Sequence, residues 1–279
     1  MRHEIWLAAL TDELRRHGIG PDLAGHVVAE AAAHLRDSGE PPLRAFGPPQ
    51  AYAAAVADSV GGPATATAPA RGRAAVGPVR LRAVDIVKRY GRRTVLSGVS
   101  LTLHAGQVAA VVGANGSGKS TFLRICAGLV GADRGHVELH GRVGYCPQAG
   151  GTADFLTAGE HFALIGTGRG LQRGEAARSG ARQAAALDWT PGGEQARHLS
   201  GGTRQKLNLV LADLGDPDVL LLDEPYQGFD RGTYLDFWHE VWRWRDAGRA
   251  VVVVTHLLNQ LDRVDVVLDL SAGRAGVAA

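Results

Sequence analysis

Apolar positions along this chain follow two different rhythms. Over residues 1 to about 60 they recur three or four apart: Leu7, Leu10 and Leu14, then Leu23, Val27, Ala31 and Leu35, then Tyr52 and Val56 after Pro48-Pro49. That spacing puts each set on one helix face and predicts three short helices, the second with Asp22 as a candidate cap. From Gly61 to Pro78 the period disappears into Gly, Pro, Ala, Thr and Arg, which predicts a flexible linker and a domain boundary over residues 61–78. Beyond it, Val79 to Val87 and Val99 to Leu103 read as strands, and Val108 to Val112, Val219 to Leu222 and Ala250 to Val254 are unbroken apolar runs of the kind buried on both faces of a sheet. Helical patterns stand between them, one beginning at Thr121 and running to Cys126, another carrying Leu207, Val210, Leu211 and Leu214 on one face. Strand and helix alternate to the end, so residues 79–279 are expected to form an α/β domain with a mostly parallel sheet, preceded by a small all-α domain at 1–60.

Composition narrows the function classes. The chain has 279 residues and a formal net charge of +2, with no run of like charges, so nothing argues for nucleic-acid binding. The first 60 residues carry five Arg against eight Asp or Glu, which argues against a DNA-binding helix-turn-helix there. The two cysteines, Cys126 and Cys146, cannot staple a fold of this size, so they read as small buried hydrophobes in a reducing compartment. No apolar segment approaches the roughly 20 residues that cross a bilayer, and Glu4 and Asp12 do not suit a signal peptide. A protein soluble by itself is expected.

The candidate chemistry begins where the strand at Val108 to Val112 ends. Gly113-Ala114-Asn115-Gly116-Ser117-Gly118-Lys119-Ser120-Thr121 satisfies every fixed position of the phosphate-binding loop. Its glycines let backbone N–H groups converge on phosphates, Lys119 reaches the β and γ groups, and Ser120 offers its hydroxyl to Mg²⁺. A nucleoside triphosphate is therefore the expected ligand. The chain holds three lysines against 27 arginines, and one of the three sits here, where a compact ammonium suits a tight loop better than a planar guanidinium.

Two further strands end in polar groups. Val219-Leu220-Leu221-Leu222 runs into Asp223-Glu224-Pro225, and Ala250 to Val254 runs into Thr255-His256. In a doubly wound sheet the ligand lies beyond the carboxyl ends of the strands, so Asp223 is placed to hold the Mg²⁺ shell and Glu224 to polarise an attacking water. The bland alternative has the two acids capping the next helix. His256 at the same edge could hydrogen-bond a γ-phosphate. Leu199-Ser200-Gly201-Gly202-Thr203-Arg204-Gln205 opens the helix that precedes the acidic strand, and it reads equally as an ordinary serine cap with a glycine turn or as an anion site.

The combined order of these segments resembles the ATP-binding subunit of ABC transporters over roughly Val79 to Leu270. Residues 113–121 resemble Walker A, Gln148 in Tyr145-Cys146-Pro147-Gln148 the Q-loop, 199–205 the signature, 219–224 Walker B, Asp230 the D-loop and His256 the switch histidine. Tyr90 resembles the A-loop aromatic that stacks on adenine. The resemblance implies a P-loop NTPase of ABC type, with an antiparallel β subdomain and a small helical subdomain beside the mostly parallel sheet. It implies ATP and Mg²⁺ as ligands, with Glu224, His256 and Lys119 catalytic and with Ser120, Gln148 and Asp223 at the metal. Nucleotide contacts would come from Tyr90, Gly113, Asn115, Gly116, Ser117, Gly118, Lys119, Ser120, Thr121 and Gln148, and from Ser200, Gly201 and Gly202 of a second copy. Gln148 and the segment through Phe155, Glu160 and Phe162 would face a membrane permease, placing the protein at the cytoplasmic face of the cell membrane.

Two departures stand out. Thr203 occupies the place of the glutamine common in the signature, and Tyr226-Gln227-Gly228-Phe229 replaces small residues and leucine before Asp230. Neither removes a catalytic group, and they lean towards export. The region between Gln148 and Ser200 lacks a long heptad insertion, against the genome-maintenance ATPases that share these motifs. The N-terminal pattern, ending in His34-Leu35-Arg36 and Ala45-Phe46-Gly47-Pro48, resembles the small helical HAAS domains of bacterial membrane or signalling proteins, which implies a regulatory or docking module.

Overall fold

The structure is a computed structural model that describes residues 3–20, 41–60, 77–226, 229, 231–255 and 263–270, with positions 24, 25, 27, 28, 31, 32 and 35 between the first two stretches. The chain divides into two compact units, one of Met1–Ala74 with Leu257–Arg263 and one of Ala75–His256 with Val264–Ala279.

In the first unit, α1 (His3–Arg16), α2 (Pro42–Ala45) and α3 (Pro49–Val60) join helical residues between 24 and 35. Leu10, Leu14, Ala24, Val27, Ala31, Leu35, Ala53 and Val56 form its core, so the three-or-four spacing marks the buried faces. The first stripe is headed by Trp6 rather than Leu7. The indole offers more apolar area than leucine, its centroid lies 5.3 Å from that of Phe46, and its Nε1–H donates to the Gly47 carbonyl at 2.9 Å. Asp22 lies outside the described residues.

The second unit contains two sheets. β1 (Val79–Tyr90) and β2 (Arg93–His104) form a hairpin, and with β4 (Arg134–Leu139) they make an antiparallel sheet in the order β2-β1-β4. β3 (Val108–Val112), β5 (Val143–Cys146), β6 (Val219–Asp223), β7 (Ala250–Val254) and β8 (Val266–Asp269) are parallel, in the order β5-β6-β7-β3-β8. Both hairpin strands run further than the apolar pattern reaches. Lys88, Arg89 and Tyr90 pair with Leu96, Thr94 and Arg93, and backbone pairing at the end of a strand needs no alternating apolar side chains. Asp85, at φ +49°, sits where both ladders of β1 shift register, which breaks the period of two that reveals strands.

β6 and β7 are buried at every position and β3 at all but its last, because helices cover both sheet faces. α4 (Lys119–Cys126) follows the loop after β3; α5 (Ala158–Gly168) and α6 (Arg173–Ala186) form a helical pair; α7 (Gly201–Asp213) and α8 (Arg231–Asp246) precede and follow β6. One face of the parallel sheet joins the core of α7 and α8 through Leu220, Leu222, Val251, Val253, Phe237 and Trp238. The other joins α4 and the antiparallel sheet through Leu221, Val252, Phe122 and Leu103. Burial raises both thiols above the usual cysteine range, Cys126 to about 12, in keeping with small core hydrophobes.

The α5–α6 contact corrects one expectation. Phe162 does not face outward; it is buried, because Gly180 of α6 leaves room for its ring. A Cβ at Gly180 would lie 2.4 Å from that ring, and one turn along, a Cβ at Gly166 would lie 2.3 Å from that of Ala176. Glu160 is exposed and closes a capping box with Thr157, whose backbone N–H and hydroxyl both donate to its carboxylate and hold its pKa below the ordinary range. Phe155 and Leu164 are the exposed apolar residues of this segment, with the Arg197 guanidinium 4.8 Å from the Phe155 ring centroid.

Gly180→Val should force the two helices apart and destabilise the domain by about 1–3 kcal/mol, read as a lower urea midpoint. An unchanged midpoint would mean that α5 and α6 do not pack this closely in solution.

Candidate active site

The parallel topology delivers four loops to one sheet edge. β3 ends in the glycine loop, β5 in Pro147-Gln148, β6 in Asp223-Glu224 and β7 in Thr255. β7 separates β3 from β6, and the ladder carries on past the strand ends: Glu224 N–H donates to Val254 O at 3.3 Å and Thr255 N–H to Val111 O at 3.2 Å.

The glycine loop is shaped by backbone that only glycine tolerates. Gly118 sits at φ +101° as the residue before α4, and a Cβ there would lie 2.8 Å from both Val95 and Leu96 of β2. With Gly118 in this left-handed conformation the helix begins at Lys119, two residues earlier than the apolar pattern predicts, and its first N–H groups open towards the loop. The Lys119 ammonium folds back on the loop and donates to the carbonyls of Gly113, at 2.7 Å, and Ala114, at 3.2 Å. The Ser117 Oγ is buried without a hydrogen-bond partner.

Ser120 and Asp223, 103 residues apart in sequence, meet at 3.1 Å, the hydroxyl donating to Oδ1. Asp223 is fully buried and its Oδ2 has no hydrogen-bond partner. Burial pushes its carboxyl above the ordinary aspartate range, the neighbouring Glu224 charge pushes the same way, and the Ser120 bond pulls it down. A desolvated carboxylate oxygen beside a hydroxyl is a donor pair suited to a hard dication such as Mg²⁺, which would satisfy the orphaned Oδ2. Glu224 stands just beyond the strand at φ +48°, and Gln148 Nε2 donates to its Oε2 at 2.8 Å. The two residues assigned to the Q-loop and the end of Walker B are thus in direct contact.

Ser200 is the N-cap of α7: its Oγ accepts the Thr203 N–H at 3.2 Å and lies 2.8 Å from the Thr203 hydroxyl. Tyr90 is half exposed at the end of β1, with the Lys88 ammonium 5.5 Å from its ring centroid. The structure therefore brings together residues 113–121, Gln148, Asp223 and Glu224. His256 and Asp230 lie outside the described residues.

Sequence reasoning missed the supports. Gln205 and Asn208, both buried on α7, hold the Gln148 loop: Gln205 Nε2 donates to Pro147 O at 3.2 Å and Asn208 Nδ2 to Gly150 O at 2.8 Å. Arg204 pairs with Asp154 further along the same loop. The signal was present, because Asn208 interrupts the apolar run Leu207 to Leu211 and a buried asparagine needs partners. Arg93 of β2 reaches the glycine loop, its Nη2 donating to Gly116 O at 2.9 Å. One arginine among 27 carried no signal.

Residues 96–227 match the family model for ABC transporters. That stretch is similar to the ATP-binding domain of ABC transporters. An ABC transporter ATP-binding protein of Methanocaldococcus jannaschii, MJ1023, is 28% identical over 70% of this chain and 76% of its own length. The human ATP-binding cassette sub-family A member 10 is 31% identical over 69% of this chain but 14% of its own length. The Nod factor export ATP-binding protein I of Ralstonia nicotianae is 31% identical over 63% of this chain and 59% of its own. The chain thus spans about three quarters of the archaeal relative and a small part of the human one. Among solved structures, the dimeric ABC transporter cassette MJ0796 superposes with a TM-score of 0.64 at 22% identity, covering 70% of this chain and 96% of that one. The ADP conformation of the cassette MJ1267 superposes with a TM-score of 0.58 at 22% identity, over 71% and 89%. The fold is that of an ABC cassette, a P-loop ATPase with a parallel sheet and an antiparallel subdomain. Among the described residues no helix is long and apolar enough to cross a membrane.

Because the folded chain holds the Asp223 proton more tightly than the unfolded chain does, stability is lost as pH rises from the ordinary aspartate value through the raised folded one. Asp223→Asn removes that cost, so without nucleotide its thermal midpoint at pH 7 should exceed the parent's, with the gap closing in acid. A lower midpoint at pH 7 would show that the buried carboxylate is already compensated.

Proposed function

We propose that this protein is the ATP-hydrolysing subunit of an ABC transporter, which pairs with a second copy of itself and drives a separately encoded membrane permease, in the export direction. The observation that carries the reading is the convergence of Ser120, Gln148 and the adjacent pair Asp223-Glu224, from three separate segments, at the loop edge of one sheet. Such a cluster has no packing role to play, since it leaves one carboxylate oxygen buried and unmet.

In this reading the N–H groups at the start of α4 receive the β- and γ-phosphates of ATP, and the Lys119 ammonium exchanges the Gly113 and Ala114 carbonyls for phosphate oxygens. Ser120 and Asp223 hold Mg²⁺, with Gln148 beside them. When bound, the dication neutralises charge that builds on the phosphate oxygens. Glu224 orients and polarises the attacking water, and the Gln148 amide that now restrains its carboxylate sets where it points. Tyr90 stacks on adenine. Ser200, Gly201 and Gly202 at the start of α7 contact the γ-phosphate held by the partner protomer, so ATP joins the two copies and its hydrolysis releases them. His256 and Asp230 are assigned their roles, as γ-phosphate sensor and D-loop residue, from the motif order alone.

The dimeric cassette among the structural relatives supports the pairing, and an export protein among the sequence relatives supports the direction. The permease would dock near the exposed Phe155 and Leu164, at the cytoplasmic face of the membrane. Residues 1–60 are read as a HAAS-like docking or regulatory module, supported by their separate helical core.

Glu224→Gln should bind ATP, lose turnover and accumulate as a dimer when size is measured by light scattering at saturating ATP and Mg²⁺. A monomer under those conditions would contradict the paired mechanism. Tyr90→Ala should weaken ATP binding by about 1–3 kcal/mol through loss of base stacking, and equal affinity in a titration would remove the tyrosine from the site.

A further inference from the structure

Tyr90 and Arg93 are cross-strand partners on either side of the two-residue turn Gly91-Arg92, so whatever fixes Arg93 also fixes the end of the strand that presents Tyr90. Arg93 reaches away from the hairpin to the crest of the glycine loop, where its Nη2 donates to Gly116 O at 2.9 Å. Gly116 sits at φ +78°, and a Cβ there would come 3.2 Å from the same nitrogen, so the guanidinium lies against the peptide itself.

We propose that Arg93 is a positioning residue for the nucleotide, acting through the Gly116 carbonyl to hold the phosphate loop ready. The proposal rests on the ATP reading given above. Three glycines in six residues leave the loop 113–118 with many accessible shapes, and a loop that must be ordered at the moment of binding loses affinity. Lys119 ties the loop now, through the Gly113 and Ala114 carbonyls, but it must leave them to reach a triphosphate. Once it has left, Arg93 still ties the loop at Gly116, beside the backbone bond from Ser117 N–H to Ala114 O. Because that tie starts next to Tyr90, the adenine and phosphate ends of the site are set by one hairpin.

The contact uses a single guanidinium nitrogen, so a lysine should replace much of it, whereas alanine or glutamine should not match it. In the full chain, Arg93→Ala should raise the dissociation constants of ATP and ADP about tenfold, the scale of one charge-assisted hydrogen bond. Turnover at saturating ATP should stay within about twofold, since the residue touches no reacting atom. Amide hydrogen exchange over residues 114–118 should quicken in the nucleotide-free protein, and Arg93→Lys should recover most of the affinity. A variant with a lowered thermal midpoint but parental affinity would reduce Arg93 to a structural strap and overturn the proposal. So would loss of turnover at saturation with affinity intact. Lys119→Ala is the control: if it binds ATP as the parent does, the nucleotide reading itself fails and the role of Arg93 falls with it, whereas loss of binding in Lys119→Ala alone refutes Arg93 only.

Discussion

The second unit is organised around a carboxylate that folding would rather not bury. Asp223 ends a strand enclosed on both faces, has no exposed surface, and meets one hydroxyl where a buried carboxylate could accept several bonds. Desolvation of that kind costs stability unless something arrives to share the charge. β7 spaces β3 from β6, and across that spacing the Ser120 hydroxyl reaches Asp223 at the sheet edge. The continuous apolar strands, whose burial contributes about 1.5–3 kcal/mol per Val or Leu side chain, offset the cost. Sheet order, loop geometry and the raised carboxyl are then one arrangement, and a site that is unfavourable when empty is one that gains on binding.

Around this centre the supports are local and directional. Gln148 is in contact with Glu224 on one side, while the loop that carries it is pinned by Gln205 and Asn208, both on the helix that begins at Ser200. The Gln148 loop and α7 are therefore tied by two hydrogen bonds whose donors, the Gln205 and Asn208 side chains, are buried and would be left costly and unpaired if the loop moved away. The α5–α6 pair packs closely for a different reason: the absence of side chains at Gly166 and Gly180 lets the helices approach until Phe162 and Ala176 fill the gap.

Much of this was legible in the chain before any coordinates. Unbroken apolar runs announced β3, β6 and β7, and the residues that follow each run announced the site edge. Where pattern reading fell short, the cause was physical. The hairpin outlasts its apolar signal because backbone pairing at Lys88–Tyr90 needs no buried side chain, and Asp85 breaks the alternation at a bulge. Phe162 read as an outward aromatic because its cover is a glycine on another helix, which no local window contains. Trp6 displaced Leu7 because helical spacing alone does not say which of two adjacent apolar residues turns inward. Arg93 carried no mark at all, since its role depends on a contact 23 residues away in sequence.

The buried thiols have a practical corollary. Cys126 and Cys146 are the chain's whole complement of cysteine, and both lie in the interior with their protons held tightly. Maleimide dyes and spin labels attack thiolate at the surface, so the folded wild-type chain should be nearly silent towards them. A single cysteine introduced at an exposed position such as Leu164 would then take the label alone, giving distance measurements across the proposed pair without first stripping the native residues.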